Sequence, residues 1–164
     1  MTNVLAPVLA SIGWLLPVAA LAADDFEIVV KVKAGERELQ TAQVVQSPSK
    51  REPPARRSFA LKRDETAQVS WHALNTSKTK FTDVVLRFFV VQEAKPGQRE
   101  VPKLTKDVVY EGALTTDFKP KERADWKFDL KIPSPGSYLL RVEAVGTQQS
   151  PGYEGYAAMD LIVE

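Results

Sequence analysis

From Asp125 to Ile132 polar and apolar residues alternate without exception. Trp126, Phe128, Leu130 and Ile132 take one phase, and Asp125, Lys127, Asp129 and Lys131 take the other. A period of two puts one row against a core and the other against water, which a helix cannot do. The pattern recurs along the chain. Phe26, Ile28, Val30 and Val32 share one phase, and so do Ala67, Val69, Trp71 and Ala73. Val84, Leu86, Phe88 and Val90 form one row of a long segment from Phe81 to Glu93. Tyr138, Leu140, Val142 and Ala144 make another row, and Ala157, Met159, Leu161 and Val163 the last. A further strand is expected over Val108 to Phe118, with Gly112 as a bulge. Turn signals separate these runs: Asn75-Thr76-Ser77, Lys95-Pro96-Gly97, Lys119-Pro120, Pro133-Ser134-Pro135-Gly136 and Ser150-Pro151-Gly152. No long window sustains a helical period. The sequence therefore predicts an all-β, immunoglobulin-like antiparallel β-sandwich of seven or eight strands.

The N-terminal segment stands apart. Its first 23 residues carry no charged side chain, and charge begins at Asp24-Asp25. An apolar run from Val4 to Leu21 ends in Ala20-Leu21-Ala22, small residues at the two positions a signal peptidase reads. Residues 1–22 are expected to be a cleaved signal peptide, and 23–164 a single domain. A retained membrane anchor is the competing reading. Pro7 and Pro17 argue against it, and so does the lack of a basic residue after the run. The expected location is exported: periplasmic, cell-surface or secreted. The chain has no cysteine, which in an exported domain points to a bacterial system and removes thiolate chemistry. A net charge of +1 gives no global pull toward nucleic acid or membrane.

Two stretches carry a family pattern. The first is Ala67-Gln68-Val69-Ser70-Trp71-His72-Ala73-Leu74-Asn75, followed by Asp83-Val84-Val85-Leu86-Arg87-Phe88-Phe89-Val90. The second runs from Phe118-Lys119-Pro120-Lys121-Glu122 through Trp126 to Ile132 and on to Pro135-Gly136-Ser137-Tyr138-Leu139-Leu140-Arg141-Val142. Together they resemble the bacterial immunoglobulin-like modules of the CARDB type, the cell-adhesion-related domains, over roughly Arg63 to Val145. The chain departs from that pattern at Arg63-Asp64-Glu65, where such modules usually carry glycine, and in a long basic segment before Arg63. The resemblance implies extracytoplasmic, non-catalytic service as a spacer or binding module. It transfers no ligand and no functional residue.

Catalytic readings find little support. His72 is the only histidine, so neither a zinc site nor a histidine-based dyad can be assembled from the usual residues. Its phase opposes that of Trp71, so it should face outward on its strand. No Gly-x-Ser-x-Gly elbow and no glycine-rich phosphate loop occurs. Asp24, Asp25 and Glu27 near the start, and Asp125 and Asp129 on one strand, match no carboxylate signature. The expectation is a binding or interaction module with no cofactor, no metal, no nucleic-acid partner and no membrane insertion after cleavage. Its partner would be an envelope protein or an anionic surface polymer. Tyr138 after Pro135-Gly136 suits a tyrosine corner, and Trp71 and Trp126 are expected to meet across the two sheets.

Two regions could carry an interaction. The segment 47–58 is rich in proline and cations and should form a loop. Lys50, Arg51, Arg56, Arg57, Lys62 and Arg63 could grip an anion, or simply be solvated. The outer row of the central strand, with Val85, Phe89 and Val91, is too apolar for a face meant only for water. Either the chain covers it, or it is an interface through which an accessory subunit pairs.

Overall fold

The computed structural model describes residues 26–42, 55–98, 102, 104–105, 107–145 and 154–164. The proposed signal segment, Lys50 and Arg51 lie outside them. Nine strands form among the described residues: β1 (Phe26–Ala34), β2 (Arg37–Ala42), β3 (Ser58–Leu61), β4 (Thr66–Asn75), β5 (Phe81–Glu93), β6 (Val108–Phe118), β7 (Arg123–Lys131), β8 (Gly136–Val145) and β9 (Glu154–Val163). They build two sheets, one of four strands in the order β2-β1-β4-β7 and one of five in the order β3-β9-β8-β5-β6. All pairings are antiparallel except β3 with β9. The all-β sandwich expected from the alternation is the fold.

The count exceeds seven or eight because two short edge strands carry weak sequence signals. β2 follows β1 through a two-residue turn at Gly35-Glu36, where Gly35 takes φ 59°. A side chain would strain that conformation, and glycine adopts it without cost. β3 is a four-residue strand that begins where the basic segment ends. It lies parallel to β9 with Phe59 opposite Leu161.

The inward rows meet as read from the sequence. Ile28, Val30 and Val32 of β1, Ala67, Val69 and Trp71 of β4, Leu140 and Val142 of β8, and Met159 and Leu161 of β9 are all buried in one core. At about 25 cal/mol per Å² of apolar surface removed from water, each large side chain here contributes roughly 1.5–3 kcal/mol. Tyr138 is buried at the start of β8 and its hydroxyl donates to the Ser134 carbonyl at 2.8 Å, the corner bond its position suggested. Asn75 ends β4 fully buried. Its Nδ2 donates to the carbonyls of Thr79 at 2.8 Å and Lys119 at 2.9 Å, and its Oδ1 accepts from the Ser77 amide at 3.0 Å. One side chain thus ties two turns at the same end of the sandwich, and every bond it makes satisfies a group that burial would otherwise leave costly.

Two expectations change. The Trp71 and Trp126 rings do meet, 4.2 Å apart and 20° from parallel, but as register partners on neighbouring strands of one sheet. They do not cross the sandwich. Trp71 is buried, while Trp126, on the edge strand β7, is half-exposed. Gly112 is not a bulge: it pairs regularly with Phe88. A Cβ there would lie 2.2 Å from the Phe88 ring, so the glycine makes room for an aromatic that lies across it. The irregularities of β5 fall instead between Phe81 and Val84, where Asp83 takes φ 56°, and between Val90 and Val91.

The outer row of β5 is covered by the chain itself. Phe89 and Val91 are buried with Leu139, Tyr156 and Ala158, and Leu104 and Val108 pack onto them. Val85 is half-buried. Phe89 and Val91 are therefore not an exposed interface; neighbouring strands and the β5–β6 connection supply the cover. Phe89→Glu should place a carboxylate in this second apolar layer and lower stability by about 3 kcal/mol or more. A denaturant melt with a midpoint equal to wild type would refute that burial.

Candidate functional site

The two sheets present different outer faces. That of the five-stranded sheet is roofed and internally neutralised. Arg56, just before β3, reaches over it and forms ion pairs with Glu93 at the end of β5 and Asp160 of β9, both at 2.7 Å. The Gly97 amide donates to Asp160 Oδ2 at 2.9 Å, which ties the start of the β5–β6 connection to the same cluster. Burial pushes the Glu93 carboxyl above its usual range, and the neighbouring Asp160 adds to this; the Arg56 guanidinium opposes both. Further along the face, Arg87 and Arg141 donate to the two oxygens of buried Glu143 at 2.5 and 2.6 Å. The Arg141 guanidinium also lies 3.9 Å from the Tyr156 ring centroid.

This disposes of Arg56 as an anion grip, because it is engaged with two buried carboxylates. The other described basic residues are dispersed. Arg57 donates to the Gln40 carbonyl of β2 at 3.0 Å. Arg63 donates to the Pro133 carbonyl at 2.8 Å, and Lys62 is exposed beside Glu65. Among the described residues the sequence-neighbouring cations do not converge.

The four-stranded sheet is open and polar, and an array of side chains does converge there. Register places Val29 of β1, His72 of β4 and Asp125 of β7 in one cross-strand row. The next row holds Gln40, Lys31, Ser70 and Lys127. These residues, with Arg123, Trp71 and Trp126, line a groove of about 580 Å³. Lys31 pairs with Glu38 at 2.9 Å on the β2 side, and Arg123 donates to Asp125 at 2.9 Å on the β7 side. No ion pair is formed by Lys127 among the described residues. His72 is half-buried in the middle, with Nε2 3.9 Å from Glu27. Burial, and then the Arg123 charge, hold its imidazole below the ordinary histidine value, while Asp125 and Glu27 pull the other way. The lining therefore offers three cations, one carboxylate, a neutral imidazole, an amide and a hydroxyl. Such a set can pair charges and exchange hydrogen bonds with a ligand; among the described residues no hydrogen bond joins its hydroxyl to its imidazole. Among the described residues, no three His, Cys, Asp or Glu side chains stand close enough together to hold a metal ion. The described residues contain no helix long and apolar enough to cross a membrane.

Sequence reasoning placed His72 on the outer phase but missed this groove. Its polar lining residues each belong to the outward row of their own strand. Which rows become neighbours depends on β1 and β4, far apart in sequence, pairing side by side with β2 and β7 outside them.

Solved structures with a similar fold include a CARDB domain. That domain, from Pyrococcus furiosus, is 13% identical at a TM-score of 0.49, with 84% of this chain and 94% of that one covered. The C-terminal domain of wzt is 13% identical at a TM-score of 0.44, covering 82% of this chain and 70% of that one. The soluble domain of PmoD from Methylocystis sp. is 13% identical at a TM-score of 0.43, covering 81% and 96%. At these identities the likeness is of fold alone. No family model and no curated protein matches the chain.

The Arg56 cluster can be tested directly. Arg56→Ala should cost about 3–5 kcal/mol at neutral pH, because it leaves Glu93 and Asp160 buried without a counter-charge. The loss should shrink as pH falls. Glu93 is held above its ordinary range, so it takes up a proton early and stops needing the cation. Denaturant melts of both proteins across the acidic range measure this; a penalty independent of pH would contradict it.

Proposed function

We propose that this chain is an exported, non-catalytic binding module of the bacterial envelope, and that the groove across its four-stranded sheet holds an anionic polymer. The observation that carries the reading is the lining of that groove. Lys31, Arg123 and Lys127 line it with one carboxylate, Asp125, while Glu38 pairs with Lys31 from outside the lining. Ser70 and Gln40 add uncharged hydrogen-bonding groups between the cations. Arg57 sits against β2 at Gln40 and extends the positive rim. A groove running across strands suits an extended ligand, which can meet spaced charges in succession. The ordered, neutralised opposite face has no such use.

Charge-assisted contacts to exposed cations are screened by salt. Polygalacturonate and polyphosphate should bind the purified protein at low ionic strength, weaken steeply with added salt, and outbind neutral dextran. The double variant Lys31→Ala, Lys127→Ala should lose about tenfold or more in affinity. Calorimetric titration reads all of this, and absence of binding by any polyanion at low salt would end the reading. The pH dependence has a definite sign. His72 is held below its ordinary value of 6.5 and is neutral in the free protein at neutral pH. A bound anion favours the imidazolium, so affinity should rise as pH falls through 6.5 and below. His72→Gln should flatten that rise.

Export rests on the sequence of residues 1–22. N-terminal sequencing of protein from a bacterial envelope should begin Ala23-Asp24-Asp25, the cut following the small residues Ala20 and Ala22. Recovery of intact Met1 in the membrane fraction would show an anchor instead.

A further inference from the structure

Four strands end the two sheets: β2 and β7 in one, β3 and β6 in the other. A terminal strand exposes a row of backbone donors and acceptors, and proteins normally block it. Three of the four are blocked. β2 is short and carries the Arg57 guanidinium on its Gln40 carbonyl. β3 has only four residues. β7 places a charge at every second position, from Arg123 to Lys131.

β6 has none of these devices. It runs for 11 residues with no proline, lysine or arginine. From Tyr110 to Thr116 it pairs with β5 in unbroken register, so no bulge turns its edge away. Among the described residues no strand pairs with its other side. Tyr110 and Leu114, on its inner row, remain half-exposed at the open margin of the sandwich.

We infer that β6 is a dimerisation edge, pairing antiparallel with β6 of a second copy about a two-fold axis at Ala113. Such an axis, perpendicular to the sheet, keeps both inner rows on the same side and makes one ten-stranded sheet from two five-stranded ones. Of the registers with the axis between Glu111 and Leu114, the side chains favour this one. With the axis at Ala113, Glu111 of each copy faces Thr115 of the other, Leu114 faces Gly112, and Asp117 faces Val109. Moving the axis to Leu114 sets Glu111 against Asp117. Moving it to Gly112 sets Asp107 against Asp117, and to Glu111, carboxylate against carboxylate. Like charges directly opposite destabilise a strand pair. The self-complementary register is the reason a second copy, rather than a foreign strand, is the occupant. It also covers the half-exposed Tyr110 and Leu114.

The test exploits the opposed signs that this register demands. Thr115 is exposed, so substitutions there leave the monomer's packing intact. Thr115→Lys places a lysine against Glu111 at two symmetric positions and should tighten the dimer. Thr115→Glu places a carboxylate there and should weaken it. Each pair changes twice by symmetry, giving roughly 2- to 30-fold in the dissociation constant in each direction. Ala113→Lys, which sets like charges against each other on the axis, should weaken it as well. Sedimentation equilibrium of the full chain and the three variants, at low salt, gives the constants, and thermal melts confirm folding. A wild type monomeric at millimolar protein overturns the proposal. So does a dimer that Thr115→Lys and Thr115→Glu shift in the same direction or not at all.

Discussion

A sheet that is apolar on both faces has to be covered on both, and the five-stranded sheet is such a sheet. β5 supplies Leu86 and Val90 to the sandwich core and Phe89 and Val91 to the opposite side. β8 does the same with Leu140 and Leu139. The cover on the far side comes partly from Tyr156 and Ala158 of β9 and partly from the connection between β5 and β6, through Leu104. Closing that layer takes polar groups out of water, so their charges must be matched inside it. Arg56 with Glu93 and Asp160 at one end, and Arg87 and Arg141 with Glu143 at the other, provide the match.

Among the described residues the other sheet carries no second apolar cluster on its outer face. The outer face of the four-stranded sheet keeps its polar rows, and its cations collect in a groove because β1, β4 and β7 lie side by side in compatible register. Half-burial of His72 in that groove follows from the same packing. A ring between two neighbouring strands loses water on both flanks, which favours its neutral form. One outer face is thus closed over apolar side chains and matched charges, and the other keeps a polar groove.

The margin where β6 and β7 end their sheets is built by aromatics. Tyr110 and Phe128 stack with centroids 4.1 Å apart and planes 3° from parallel, joining the two sheets. Phe88 touches both rings and Trp71, at centroid distances of 5.5 to 5.8 Å. Offset rings of this kind add stability beyond the area they bury. Gly112 permits the arrangement by leaving space over its own strand for Phe88.

Strand existence, strand phase and the tyrosine corner were legible from residue order. A period of two is a local property, and it marks β1 and β4 to β9 whatever their neighbours. β5 and β6 match their expected bounds, Phe81–Glu93 and Val108–Phe118. β2 and β3 are short and polar or flanked by cations, so local pattern could not mark them. Which strands become neighbours was a tertiary outcome. It set Trp71 beside Trp126 within one sheet, sent Arg56 to Glu93 and Asp160 instead of to Arg57 and Arg63, and gathered Lys31, His72 and Lys127 into one groove. The physical reason is the reach of each determinant. Alternation is read over a few bonds, whereas pairing and burial join residues separated by most of the chain, and their energies decide only once both sheets have closed on the core.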